Sequence, residues 1–136
     1  MTPNDIEADV EVRQSPYEMI GGAAAVRRIV DRFYDIMDSA PEAARIRAMH
    51  AHDLAPMRER LFEFLSGWLG GPPLYFQRPD HACVVSAHRG FAIGEAERDA
   101  WMMCMRRALV DCEVAAEVRE LLDKPFLRMA EAFRNR

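Results

Sequence analysis

The stretch H-A-C-V-V-S-A-H-R-G-F-A-I-G-E-A-E-R-D-A-W, residues 81–101, sets a histidine and a tryptophan near the ends of two consecutive predicted helices. His88 ends the first helix, and Trp101 lies one to two turns into the second. Gly90 and Gly94 interrupt the chain between them. We expect the remaining apolar helices to pack around this pair.

His88 has two possible roles. An imidazole at a helix end beside an apolar cavity is a usable axial ligand for haem iron. A histidine on an apolar face is also commonly a core residue, with its ring nitrogens satisfied by hydrogen bonds. Tyr34 and Trp101 have the same alternative, as core aromatics bonded to backbone carbonyls. Spacing alone leaves both interpretations open.

The composition is that of one water-soluble domain. The 136 residues are enough to bury a single core, and half of them are hydrophobic. A formal charge of −4 does not favour binding to nucleic acid. The three cysteines are odd in number and lie in apolar patterns, which is typical of reduced thiols. No segment resembles a signal peptide or a membrane span, so we expect a cytoplasmic protein without membrane contact.

The chain divides into a tail and a helical domain. Residues 1–14 are predicted to form a flexible acidic tail, and residues 15–136 the domain. Ser15, Pro16 and Glu18 form a capping-box pattern that starts the first helix, which the glycines at 21–22 stop. Further helices are predicted at 23–38, 41–48, 54–68, 79–88, 95–111 and 114–134, with an irregular link at 74–78 and a kink at Pro125. No strand pattern is found, so the fold class is all-α, a bundle of about six helices.

The sequence motifs of several enzyme classes are absent from this chain. There is no G-x-S-x-G, no glycine-rich loop after a strand, and no E-x-x-H repeated across helices. Most acidic residues lie on the polar faces of the helices, which disfavours a hydrolase that uses paired carboxylates. What remains is one histidine facing apolar helices that also carry Tyr34 and Trp101.

Seven motifs give the chain a resemblance to the group II truncated haemoglobins from about residue 15 to 135. They are Y-E-M-I-G-G at 17–22, D-R-F-Y-D at 31–35, I-R-A-M-H at 46–50, R-E-R-L at 58–61, G-W-L-G-G-P at 67–72, H-R-G-F-A-I-G at 88–94 and E-R-D-A-W-M-M-C-M at 97–105. The resemblance implies a truncated globin-like two-over-two helical sandwich around haem b, iron protoporphyrin IX.

The resemblance also implies roles for individual residues. His88 matches the proximal iron ligand of the family. Tyr34 and Trp101 match the residues that donate hydrogen bonds to the distal ligand, and His50 matches a variable distal position. His81, seven residues before His88 on the same predicted helix, is too far along that helix to share the iron with it, so we predict that it is not a ligand.

Other residues are expected to contact the porphyrin. Met57 and Leu61 would form an apolar wall on the distal side, and Phe91 and Ile93 would pack on the proximal side. Arg60 could reach a propionate as a charge-assisted donor. The chain departs from the family at Ala82, Val85 and Ala87, where members usually have a proline and arginines. We therefore expect either weaker haem retention or propionates held by Arg60, Arg89 or Tyr75.

Three functions remain open on this basis. The first is reversible binding of O₂, NO or CO, as in oxygen transport. The second is a haem-dependent redox enzyme acting on nitric oxide or peroxide, with a reductase as a possible partner. The third is a haem-free helical interaction domain in which His88, Tyr34 and Trp101 are core residues. Either a monomer or a homodimer is compatible with the sequence.

Overall fold

The computed structural model describes residues 14–136, and every regular element in that range is helical. The described range contains eight α-helices and one 3₁₀ turn: α1 (Pro16–Ile20), α2 (Ala23–Ser39), the 3₁₀ turn (Pro41–Ala43), α3 (Ala44–Ala48), α4 (Ala55–Trp68), α5 (Leu74–Gln77), α6 (Val84–Ala87), α7 (Glu95–Asp111) and α8 (Ala116–Ala132). The predicted all-α class is confirmed. Almost all of the predicted acidic tail lies outside the described residues.

The four long helices form two packed pairs, α2 with α4 and α7 with α8. Helix α2 packs on α4 and, most extensively, on α7, while α7 packs on α8. The apolar period predicted for α2 becomes its buried face, because residues three and four apart share one side of a helix. This face consists of Val26, Ile29, Val30, Phe33 and Met37. Trp68 on α4 stacks on Phe126 of α8, with ring centroids 4.6 Å apart, and joins the two pairs.

The predicted caps define several helix ends. The Ser15 hydroxyl accepts a hydrogen bond from the Glu18 backbone N–H at 3.2 Å and starts α1. Gly21 and Gly22 have φ values of 120° and 79°, which only glycine adopts readily, and these let α1 turn into α2. Helix α7 has the predicted bounds, and the Glu97 carboxylate closes its start by accepting from the Gly94 N–H at 2.8 Å.

The segment before His88 differs from the prediction. Residues 74–78, expected to be irregular, include the one-turn helix α5. The prediction of a helix at 79–88 is wrong in its bounds, because only Val84–Ala87 are helical. His81 therefore precedes the helix that carries His88, so helical rise does not by itself keep the two imidazoles apart. Helix α6 buries none of its residues, so no apolar period marks its bounds in the sequence.

Two further differences concern α8 and the number of helices. Helix α8 is two residues shorter at each end than predicted, and Leu121, expected on its apolar face, is exposed. The described residues contain eight α-helices against the expected six or so, because one-turn elements such as α5 have no sequence period. Within residues 14–136, no helix is long and apolar enough to cross a bilayer.

Candidate functional site

His88 caps the C-terminal end of α6, and among residues 14–136 only one of its ring nitrogens has a hydrogen-bond partner. Its Nδ1 lies 2.6 Å from the carbonyl oxygen of Val84. A carbonyl only accepts, so Nδ1 must carry the proton and Nε2 keeps its lone pair. An imidazole held in this tautomer by a backbone acceptor is arranged as histidine metal ligands usually are.

Tyr34 is a buried phenol whose hydroxyl forms no hydrogen bond with residues 14–136. Its side chain is only 5% exposed, and burial raises the pKa of the phenol above its usual value, against an opposing effect of Arg58. The hydroxyl therefore stays protonated at neutral pH and can donate. Arg58 lies over the ring and bonds the Asp31 carbonyl at 2.8 Å and the Asp35 carboxylate at 2.7 Å, which fixes α4 beside Tyr34.

His50 lies against Tyr34, with ring centroids 5.8 Å apart. Its Nδ1 is 2.7 Å from the Ile46 carbonyl, so this ring also carries its proton on Nδ1. Burial lowers the pKa of His50, while the bond to Ile46 opposes this shift and the charges of Arg47 and His88 add to it.

Arg47 holds the loop that carries His50. Its guanidinium donates to the carbonyls of Ala51 at 3.0 Å and His52 at 2.9 Å, and to the Asp38 carboxylate at 2.7 Å. These bonds connect the loop to Asp38, which lies near the end of α2 and four residues after Tyr34. Tyr34 and His50 are thus held by the same end of the helix.

Trp101 approaches the same region from α7. Its ring centroid lies 5.3 Å from that of Phe33, which is in turn 5.0 Å from Tyr34. Phe33 therefore packs against both the phenol and the indole. The indole ring packs against the aromatic rings of Phe33 and Phe126. The indole N–H makes no hydrogen bond within the described range and remains available as a donor.

Large apolar side chains are exposed on α4, α5 and α6 and in the loop after His88. Met57 on α4 is 38% exposed, Phe76 on α5 56%, Val85 on α6 42%, and Phe91 in the following loop 42%. Leu61 and Ile93, also predicted to contact a porphyrin, are half-buried. A flat apolar cofactor would cover such side chains, as apolar ligands do in protein clefts.

The residues expected to bind the haem propionates differ in whether they already have a partner in the protein. Arg60 is half-buried and Arg89 exposed, and neither forms an ion pair with the residues described. Tyr75 is buried, and its hydroxyl donates to the Ala82 carbonyl at 2.7 Å. The single phenolic proton is therefore already used, which favours Arg60 and Arg89 over Tyr75 for this role.

These features match what haem needs from a protein. In the described residues, no three histidine, cysteine, aspartate or glutamate side chains come together as a metal cage. A lone imidazole is sufficient for haem, because the porphyrin nitrogens supply the remaining equatorial ligands. The residues present therefore fit an apolar macrocycle with an iron, held by one axial histidine.

Two surface concavities of the described residues lie elsewhere. One, of about 440 Å³, is lined by charged side chains including Arg47 and Arg58, and the other lies beside Arg98 and Arg106. His88 lines neither of them. Charged, open walls of this kind suit solvent better than an apolar ring, so the candidate site is defined by His88, Tyr34 and Trp101 instead.

Sequence reasoning missed several residues of the site. Phe33 and Arg47 were not singled out, although both lie in or beside motifs that carry the resemblance. Asn135, whose amide bonds to the loop after His88, was also missed. An asparagine just past a helix end is a common capping signal, and it could have drawn attention to this position.

Comparison with known proteins shows the family to which the chain belongs. The model of the bacterial-like globin family matches residues 15–135. The group 2 truncated hemoglobin YjbI of Bacillus subtilis (strain 168) is 33% identical over 108 residues, which cover 79% of each chain.

Two solved structures have the same fold. The group II 2-on-2 hemoglobin of the plant pathogen Agrobacterium tumefaciens is 41% identical, with a TM-score of 0.85 over 91% of this chain and 96% of that one. A truncated oxygen-avid haemoglobin from Bacillus subtilis is 31% identical, with a TM-score of 0.80 over 90% of this chain and 100% of that one. The predicted two-over-two sandwich is thereby confirmed.

Proposed function

This chain belongs to the bacterial-like globin family and is a haem-binding globin, and from that premise we propose that it binds O₂ reversibly on haem b. The observation that carries the proposal is the orientation of His88, whose Nδ1 is bonded to the Val84 carbonyl, and it is supported by the Tyr34 hydroxyl and the Trp101 N–H, which form no hydrogen bond with residues 14–136. One structural neighbour, the truncated haemoglobin from Bacillus subtilis, is oxygen-avid, which supports O₂ as the ligand.

The haem would be held without covalent links to the protein. The chain contains no C-x-x-C-H, the motif through which c-type haem is attached, so haem b is the expected form. His88 Nε2 would be the proximal ligand, Phe91 and Ile93 would pack on the proximal side, and Met57 and Leu61 on the distal side. Arg60 and Arg89 would bind the propionates as charge-assisted donors.

Haem supplies an iron with a free coordination position at which a diatomic molecule binds. The protein controls that molecule through hydrogen bonds from the distal side. O₂ gains partial negative charge on binding, so the Tyr34 O–H and Trp101 N–H stabilise it. His50, whose ring centroid lies 5.8 Å from that of Tyr34, would line the same side of the site.

The experiment is measurement of O₂ release by stopped flow in Tyr34→Phe, Trp101→Phe and the double variant. Each donor to a partly charged ligand contributes roughly 1.5–3 kcal/mol, so each single variant should release O₂ about ten to a hundred times faster. The two effects should not add, because both donors serve one ligand.

Carbon monoxide is the matched control ligand. It carries less negative charge when bound, so its release should change less than that of O₂ in the same variants. Unchanged O₂ release in both single variants would leave the two aromatics as core packing and refute the distal part of the proposal. A reductase partner, a cytoplasmic location and a monomeric or homodimeric state stay predictions.

A further inference from the structure

The segment that carries His88 is held mainly by contacts from outside it. Helix α6 has four residues and buries none of them, so it has no core packing of its own. On its N-terminal side, the Tyr75 hydroxyl bonds the Ala82 carbonyl at 2.7 Å. On its C-terminal side, the contacts come from residues that follow α8.

Asn135 ties down the loop after His88. Its side-chain amide donates to the Phe91 carbonyl at 2.7 Å, and its side-chain oxygen accepts from the Ile93 N–H at 2.9 Å. Its backbone N–H donates to the Ile93 carbonyl at 2.8 Å. Three hydrogen bonds from one residue fix the loop at two points, so the loop cannot shift along α8 without breaking them.

Phe133 lies directly on the His88 imidazole. The ring centroids are 4.4 Å apart and the planes are inclined by 18°, a stacked arrangement. The bond from Nδ1 to the Val84 carbonyl fixes the direction of one ring nitrogen but permits rotation of the ring about that bond. A second aromatic plane in parallel contact removes this freedom.

We propose that Phe133 and Asn135 form a proximal clamp, in which Phe133 sets the plane of the His88 imidazole and Asn135 fixes the loop that follows it. The inference rests on the proposed role of His88 as the iron ligand. Neighbours that orient a ligating histidine tune its metal. Both clamp residues are therefore positioning residues, which act on the haem through His88 and the loop.

The first test uses the apoprotein and needs no haem. A stacked aromatic ring moves the imidazole proton resonances of His88 upfield in the NMR spectrum. Phe133→Leu, which keeps an apolar side chain but removes the ring, should abolish this shift, and Phe133→Tyr, which keeps the ring, should preserve it. The exposed His52 provides an internal reference that neither variant should move.

The second test uses ferrous haem-loaded protein and resonance Raman spectroscopy. Phe133→Leu should shift the iron–histidine stretching band, while Phe133→Tyr should leave it at the wild-type position. Asn135→Ala should increase the rate of haem transfer to an acceptor globin by roughly tenfold, since it removes the side-chain bonds that hold the loop.

The outcomes separate this inference from the proposed function. If the wild type shows an iron–histidine band and Phe133→Leu leaves both that band and the His88 resonances unchanged, the clamp is refuted. The same holds if Phe133→Tyr behaves like Phe133→Leu. If the band is absent from the wild type, the proposed function fails, and the NMR comparison in the apoprotein still decides whether Phe133 orients His88.

Discussion

At the scale of single residues, the groups that the site can offer to a ligand depend on which polar atoms already have hydrogen-bond partners in the protein. The backbone carbonyls of Val84 and Ile46 each occupy the Nδ1 of a histidine, so both imidazoles present Nε2. Tyr34 keeps its proton because burial raises its pKa. The protonation states needed for binding a ligand are thus set by local bonds and burial within the protein.

His50 should make the protein less stable in mild acid. Burial lowers its pKa below the ordinary value of 6.5, so the unfolded chain takes up a proton at a higher pH than the folded chain does. The free energy of unfolding should therefore decrease as the pH is lowered from about 6.5 to the pKa of His50 in the folded chain.

His50→Phe keeps a ring but removes the titrating group. Urea unfolding of the apoproteins between pH 7 and pH 5 should show a smaller loss of stability in the variant than in the wild type. Equal pH dependence in the two proteins would show that His50 is not buried as the structure has it.

At the scale of elements, the predictability of each helix depended on how much it buries. Helix α7 was predicted at its true bounds, because it has a buried face and a glycine and a glutamate that close its start. Helices α5 and α6 have one turn each and few buried residues, so they leave no apolar period. Residues 78–83 form local bonds instead, including that of the Tyr75 hydroxyl to Ala82.

The turn after α4 should not tolerate a side chain at Gly71. A Cβ atom there would lie 2.5–2.7 Å from three ring atoms of Tyr17, closer than real contacts allow. Gly71→Ala should therefore destabilise the protein by about 1–3 kcal/mol, the usual cost of overpacking.

Gly90→Ala is the matched control, because a Cβ at Gly90 would meet nothing within 4 Å. Thermal unfolding of the two variants should show a lower Tm for Gly71→Ala only. Equal melting temperatures would mean that Tyr17 does not pack against this turn.

At the scale of the whole molecule, the sequence predicted the fold class, the long helices and the family. It could not predict how His88 is held, because the contacts that hold it come from distant parts of the chain. The ring centroids of Phe133 and His88 lie 4.4 Å apart, yet the spacing of Phe133 at the end of the helix predicted at 114–134 indicates only part of an apolar face. The rotation of one helix against another decides such contacts, and no local pattern records it.

The central claim is that His88 binds the haem iron, and the absorption spectrum of the haem-reconstituted protein tests it most directly. The wild type should show a Soret band with one haem per chain. His88→Ala should retain haem only when imidazole is added to fill the vacated position, and His81→Ala, which removes an exposed histidine seven residues earlier, should keep the wild-type spectrum. A His88→Ala protein with the wild-type spectrum and stoichiometry in the absence of imidazole would contradict the claim.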